Sequence, residues 1–186
     1  LGKRALDIVL GALALIILSP VALIVAIAVR FTMGRPVIFS QMRPGLYGRP
    51  FVMYKFRTML ELYDEKGNLL PDEMRITKLG KFLRRFSLDE IPEFWNVLKG
   101  DMSLVGPRPL LIKYLPFFTE EEKKRFEVRP GITGLASVRG RNLLNWDERL
   151  KLDIQYVENC SFLLDLKLLF LTILKVIQCK DVVVLP

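Results

Sequence analysis

The sequence contains no histidine. Acid–base work and nucleophile activation must therefore come from carboxylates, lysine, tyrosine, cysteine or bound water, and His-dependent triads and His-ligated metal sites are excluded. Cysteine is almost as scarce. Cys160 and Cys179 form no C-x-x-C pair, which argues against a metal knuckle or redox couple and reads as two buried thiols in a reducing, cytoplasm-facing environment. There is no internal repeat, low-complexity tract or Gly/Ser linker, so the 186 residues read as one unit. Acidic residues are outnumbered, 20 Asp and Glu against 28 Lys and Arg, for a net charge of +8, while 51% of the chain is hydrophobic. A chain both basic and oily fits an anionic membrane surface, an anionic substrate, or both. Nucleic acid, the usual alternative, has no helix-turn-helix, zinc-finger or RNP pattern to support it.

What is present begins with an uncharged apolar run over residues 8–29, behind Leu1-Gly2-Lys3-Arg4. At about 1.5 Å per residue a helix of this length just crosses a hydrocarbon core about 30 Å thick. It lacks a small-residue cleavage site and is expected to be permanent. Ser19-Pro20 lies in its middle. Proline removes a helix hydrogen bond and predicts a kink, and the serine can satisfy the freed backbone group. Lys3 and Arg4 flank one end, Arg30 and Arg35 the other. Because positive charge is biased to the cytoplasmic side of a span, both ends read as cytoplasmic. From the residues alone, a kinked span and a helix that bends at Ser19-Pro20 and returns to the same face both remain open.

Two β-prone runs follow, residues 36–41 and 51–56, joined by the turn-rich Arg43-Pro44-Gly45-Leu46-Tyr47-Gly48-Arg49-Pro50. This is the pattern of a hairpin with a longish loop. Lys55 and Arg57 lie two apart, on one face if the strand continues. Residues 61–72 are polar and read as a surface loop, with a lid as the alternative, and residues 79–86 as a short basic helix. The stretch Arg84-Arg85-Phe86-Ser87-Leu88-Asp89-Glu90-Ile91-Pro92-Glu93-Phe94-Trp95-Asn96 comes next. Ser87 and Glu90 have capping-box spacing, and Pro92 falls early in the expected helix. Asp89 would lie in its first turn, where amides and the helix dipole favour anions. A cap and a dipole complement would explain the two carboxylates; a catalytic pair is the alternative.

Gly100 suits the end of that helix. Pro107 and Pro109 bracket Arg108 and keep it out of helix; a rigidly held arginine suits two-pronged phosphate binding, and a plain rigid turn is the alternative. Residues 110–118 are apolar but too short to span. Thr119 and Glu122 have capping-box spacing. Arg139-Gly140-Arg141-Asn142 sets two cations around a glycine, a phosphate cradle or an exposed loop. Residues 145–158 read as a helix with Trp146, Leu150, Ile154 and Val157 on its core face. Residues 162–177 form another oily helix, whose Asp165, Lys167 and Lys175 argue for an amphipathic helix at the membrane surface or against the first helix.

Four blocks stand together in order: Lys55-Phe56-Arg57-Thr58-Met59, Ser87-Leu88-Asp89-Glu90-Ile91-Pro92, the run from Asn96 through Lys99-Gly100-Asp101-Met102-Ser103-Leu104-Val105-Gly106-Pro107-Arg108-Pro109, and Arg129-Pro130-Gly131-Ile132-Thr133-Gly134. Over nearly its whole length the chain resembles the bacterial sugar transferase family, the monotopic phosphoglycosyl transferases, and its length resembles that of the minimal members. Larger relatives carry further N-terminal membrane helices. The resemblance implies an α+β, mainly helical fold: helices around a β-hairpin, interfacial amphipathic helices, and a re-entrant helix broken at Ser19-Pro20. The expected division is residues 1–30 as membrane element and 31–186 as catalytic domain, one structural unit. It implies transfer of a phosphosugar from a UDP-sugar to a polyprenol phosphate with release of UMP, Mg²⁺ dependence, and a covalent intermediate on the Asp-Glu pair, at the cytoplasmic face of a bacterial inner membrane. Residue chemistry agrees, because a carboxylate nucleophile needs no histidine. Asp89 is the expected nucleophile, with Glu90 placing Mg²⁺ or handling a proton, and both carboxylates are the expected metal ligands. Arg108 and Arg141 are the expected phosphate clamps, with Lys55, Arg57, Arg85 and Arg139 as further candidates.

Overall fold

The computed structural model describes residues 2–140 and 143–178. The fold is α+β and mainly helical. The apolar run lies within one helix, α1 (Gly2–Met33), long and apolar enough to cross a membrane. Pro20 cannot donate to the Ile16 carbonyl one turn back, and the Ser19 hydroxyl donates to that carbonyl instead, at 2.8 Å. One side of α1 is open and oily, with Val9, Ile16, Ile17, Ile24 and Phe31 all exposed.

The other side is docked along its length. Near its start, Arg4 caps the end of α4 (Glu93–Lys99), donating to the carbonyls of Val97 at 2.6 Å and Leu98 at 2.8 Å. Carbonyls in the last turn of a helix lack the usual i+4 amide; that of Val97 also accepts from the Gly100 amide at 3.0 Å. Asp7 accepts from the Ser103 hydroxyl at 3.0 Å and the Leu104 amide at 2.9 Å. Lys3 pairs with Asp165 and donates to the Tyr156 hydroxyl and the Val105 carbonyl. Lys3 and Arg4, which the sequence presents as flanking charges of a membrane segment, therefore also clamp α1 to the body. Further along, Val25, Val29 and Met33 are buried in a cluster with Phe56, Leu83 and Ile91.

β1 (Ile38–Pro44) and β2 (Pro50–Phe56) form an antiparallel hairpin in register from Ile38 opposite Phe56 to Pro44 opposite Pro50. Its loop is tighter than expected, because both prolines pair at the hairpin's end. Asn96, fully buried on α4, satisfies the hairpin's open edge: its side chain accepts from the Tyr54 amide at 3.1 Å and donates to the Val52 carbonyl at 2.7 Å. A short helix α2 (Asp72–Arg75) precedes α3 (Lys78–Arg85). Thr77 caps α3, its hydroxyl accepting from the Gly80 amide at 2.9 Å. A Cβ on Gly80 would stand 1.9 Å from the Thr58 carbonyl oxygen, so glycine alone lets α3 lie on the chain leaving β2.

Two three-residue strands, β3 (Ser103–Val105) and β4 (Gly131–Thr133), pair in parallel. The expected turns at 129–134 thus contain a strand, too short to give a periodic signal. α5 (Leu135–Arg139), α6 (Trp146–Asn159) and α7 (Phe162–Gln178) follow. Asn145 and Glu148 form a reciprocal capping box at the start of α6. Its buried face is Leu150, Asp153 and Tyr156, whereas Trp146 is half exposed. The inward face is therefore rotated from the one expected, because two polar groups find buried partners. Cys160 is exposed and unbonded, contrary to the expected buried thiol; Cys179 lies outside the described residues.

Candidate active site

Ser87 follows α3 in the left-handed conformation, at φ 54°, ψ 24°. Leu88–Glu90 then make a single 3-10 turn, and α4 begins after Pro92. The capping box expected from Ser87 and Glu90 is absent, since a cap needs extended backbone and Ser87 instead reverses the chain. A non-glycine residue in this conformation costs on the order of 1–3 kcal/mol, a cost that clusters at functional sites.

The reversal turns three carboxylates inward. Asp89 and Glu90 are each 7% exposed and Glu93 is 3% exposed. Lys55, from β2, lies 2.9 Å from Glu90 and 3.0 Å from Glu93. Arg108 meets Glu90 at 2.6 Å. Arg84 donates to the Thr58 hydroxyl at 3.1 Å and acts on Asp89 electrostatically. Glu90 is thus held by two cations, while the Asp89 carboxylate makes no hydrogen bond or ion pair among the described residues.

Burial, and then repulsion from Glu90, push the Asp89 carboxyl above its ordinary range, against the pull of Lys55, Arg108 and Arg84. Burial disfavours charge on Lys55, but Glu90 and Glu93 more than offset this and raise it. Glu90 raises Arg108 in the same way. Glu93 is pushed up to about 7, chiefly by burial. Its folded value lies above the usual 4.5, so the folded protein holds an extra proton between the two values. Its contribution to stability therefore falls as pH rises through that window. Glu93→Gln mimics the protonated form, so its melting temperature should gain on the parent's from about pH 5 to about pH 8. A constant difference between the two proteins would contradict the burial argument.

Arg108 stands between Pro107 and Pro109 just past β3, and its carbonyl accepts from Arg125 at 2.8 Å. Arg108→Lys keeps the charge but loses the planar fork. The loss of one charge-assisted phosphate contact, about 1.5–3 kcal/mol, should lower kcat/KM by about ten- to a hundredfold. Near-normal kcat/KM would reduce Arg108 to a structural part.

The remaining expected cations are dispersed. Arg57 donates to the carbonyls of Met59 and Arg35, both at 3.0 Å, and staples the chain between α1 and the hairpin. Arg85 is exposed beside the Phe86 ring, and Arg139 is exposed at the end of α5. Arg141 lies outside the described residues. Glu93 was not singled out in the sequence, although it stands one helical turn after Glu90. Arg43 and Arg149, which join the site from β1 and α6, carry no local signal.

Among the described residues no group of three or more acidic, histidine or cysteine side chains could cage a metal. Mg²⁺ commonly takes only one or two carboxylates and completes its shell with water and substrate phosphates. The unengaged Asp89 carboxylate beside Glu90 fits that requirement.

A buried carboxylate next to a second one, faced by a lysine and arginines, is an arrangement for phosphate chemistry. A sequence model of the bacterial sugar transferases matches residues 1–179. The chain belongs to the bacterial sugar transferase family. It is 53% identical over 180 residues to the sugar transferase EpsL of Bacillus subtilis, covering 97% of this chain and 89% of that protein. It is 41% identical over 183 residues to the UDP-glucose:undecaprenyl-phosphate glucose-1-phosphate transferase of Escherichia coli, covering 93% of this chain and 39% of the relative. It is 38% identical over 196 residues to the undecaprenyl-phosphate galactose phosphotransferase of Salmonella typhimurium, covering 96% and 41%. This family member thus spans most of EpsL and about two fifths of the two larger transferases.

Proposed function

We propose that this chain moves a phosphosugar from a UDP-sugar to a polyprenol phosphate, releasing UMP, through a covalent intermediate on Asp89. The observation that carries this reading is the buried, unengaged Asp89 carboxylate beside a Glu90 already held by Lys55 and Arg108. An Asp89 oxygen attacks the sugar-bearing phosphorus of the diphosphate. The bond from that phosphorus to the bridging oxygen breaks, and UMP leaves with the electron pair. An oxygen of the acceptor phosphate then attacks the same phosphorus, frees the Asp89 carboxylate and yields the polyprenyl diphosphosugar. Neither step needs a histidine base. Arg108 neutralises charge on the phosphates, Lys55 holds Glu90 and Glu93 in place, and Asp89 with Glu90 would hold Mg²⁺. That ion, when bound, supplies charge neutralisation for the diphosphate.

The acceptor end of the reaction suits a membrane surface. A cavity of about 240 Å³ runs from Glu90 and Arg108 past Ser87, Thr133 and Ser137 to Leu18 of α1 and Thr172 and Lys175 of α7. Phe162, Leu163, Phe170 and Ile173 leave α7 oily outside, like the open side of α1. A surface of this kind fits lipid. The reading places the enzyme at the cytoplasmic face of a bacterial inner membrane.

The docking of α1 favours a re-entrant course. Gly11 lies against Val97, while Val25 and Val29 share a cluster with Ile91. The one short segment from Ile91 to Val97 therefore serves both halves of the helix, whereas a straight span would separate its ends across about 30 Å of hydrocarbon. A cysteine replacing Gly2, in a background without Cys160 and Cys179, should react only with reagents that reach the cytoplasm. Replacing Ser19 and Pro20 with leucine should expose a fraction to outside labelling, with the positive flank resisting a full switch. Outside labelling of the parent would mean an ordinary span.

The activity itself is tested by UMP release over a panel of UDP-sugars with a short polyprenol phosphate. Release from at least one sugar, dependent on Asp89, is expected; none from any would overturn the reading.

A further inference from the structure

A second cavity, of about 260 Å³, opens on the other side of Arg108. Arg43, Arg108 and Arg149 line it with Lys55, Tyr114 and Trp146, and Glu93 is its acidic residue. Arg43 comes from β1 and Arg149 from α6, so the fold gathers these guanidiniums from distant parts of the chain.

The cavity carries an excess of positive charge. Among the described residues the hydrogen-bond partners of Arg43 are neutral: it donates to Gln41 at 2.6 Å and to the Pro109 carbonyl at 3.2 Å. Its Nε is buried with no hydrogen-bond partner among the described residues. Burial and then Arg108 lower the basicity of Arg43 and of Arg149 alike. Glu93 is already bound to Lys55. Crowded guanidiniums of this kind are relieved by a phosphate, which accepts from their forks.

The opposite wall is apolar. Tyr114 and Trp146 meet edge to face, with ring centroids 5.0 Å apart, next to Leu110 and Leu111. A planar base stacks on such a surface, by about 1–3 kcal/mol where this has been dissected in nucleic-acid binding.

We propose that this cavity is the nucleotide subsite, taking the UMP half of the donor with its phosphate on Arg43, Arg108 and Arg149 and its base against Trp146 and Tyr114. The inference rests on the function proposed above and specifies one part of it. In phosphoryl transfer the attacking and leaving oxygens lie roughly in line across the phosphorus. The leaving UMP phosphate must therefore lie opposite Asp89, and Asp89 does not line this cavity. The acceptor phosphate later attacks from the position that UMP has vacated. Arg108, which borders both cavities, serves the two phosphates in turn. The nucleoside and the prenyl chain extend from that point into separate spaces, one polar and aromatic, the other reaching the oily helices.

The test uses the full chain in nanodiscs. Trp95→Phe leaves Trp146 as the single tryptophan of the two. Titration with UMP should change Trp146 fluorescence over the same concentrations at which UMP inhibits transfer. Inorganic phosphate and glucose 1-phosphate at those concentrations should not. Arg149→Gln should weaken UMP binding by about tenfold or more and raise KM for the UDP-sugar without changing KM for the polyprenol phosphate. Trp146→Leu, a change at a half-exposed position, should weaken UMP in the same direction with an unchanged melting temperature. Unaltered UMP affinity in both variants, while the parent still releases UMP, would overturn this inference and leave the proposed function standing. A response to glucose 1-phosphate would assign the cavity to the sugar, and an equal response to inorganic phosphate would reduce it to a general anion site; either overturns it. Absence of UMP release from the parent with every UDP-sugar would instead remove the function on which it rests.

Discussion

Asp89→Asn is expected to lose transfer by on the order of 10⁴-fold or more, the scale seen when a nucleophile is removed. The amide is a poor nucleophile and a weak ligand for a hard cation. The fold should survive, and stability at neutral pH should stay level or rise. Burial and Glu90 push the Asp89 carboxyl above its usual range, so its ionised form opposes folding once pH exceeds the ordinary carboxylate value. An uncharged isostere removes that opposition. The proposed nucleophile is thus held at a cost to stability, a common trade at active sites. Mass spectrometry of the parent with UDP-sugar alone should find a phosphosugar on Asp89, with no adduct in the variant. Full activity of the variant, or an adduct on another residue, would sink the assignment.

The second large effect is one of stability. Asp153→Ala should destabilise the protein by about 3–5 kcal/mol, the cost of stranding one member of a buried ion pair. Arg125 and Asp153 are 3% and 2% exposed and meet at 2.6 Å. The guanidinium lies beside the touching rings of Phe118 and Phe126, 5.6 and 5.5 Å from their centroids, and its Nε has no hydrogen-bond partner among the described residues. It has nowhere to take an uncompensated charge. The same guanidinium donates to the Arg108 carbonyl, so the variant should also lose activity through displacement of Arg108. Replacing both partners with apolar residues should recover much of the stability, since an apolar pair of similar volume is often neutral or stabilising, but not the positioning of Arg108. Thermal unfolding of the three proteins in one detergent distinguishes these outcomes; an unshifted Asp153→Ala transition would contradict the account.

Much of the molecule was legible because the relevant signals are local. The apolar run, its Ser19-Pro20 break and the hydroxyl that satisfies the freed carbonyl follow from neighbours in the chain. So do the hairpin, the Thr119–Glu122 capping box and the oily α7. Asp89, Glu90 and Arg108 stood out because unusual residues are concentrated around them. The errors share the opposite origin. Ser87 has the composition of a cap but takes a left-handed conformation. α6 turns Asp153 and Tyr156 inward because Arg125 and Asp165 wait for them from other elements.

By itself the sequence determined which groups can do chemistry: with no histidine available, the work falls to carboxylates, lysine, tyrosine, cysteine or bound water, and the basic, oily composition points them toward phosphates at a membrane. Only the tertiary structure decided which carboxylate is committed and which is unengaged, by setting Lys55 and Arg108 on Glu90 and none of the described partners on Asp89. It also converted Lys3 and Arg4 into clamps and Arg57 into a staple, and drew Arg43 and Arg149 to one cavity. The reason is physical. Residue type sets the charge and donors that a side chain can offer. The choice of partner depends on which buried groups, often many tens of residues away, would otherwise remain unpaired.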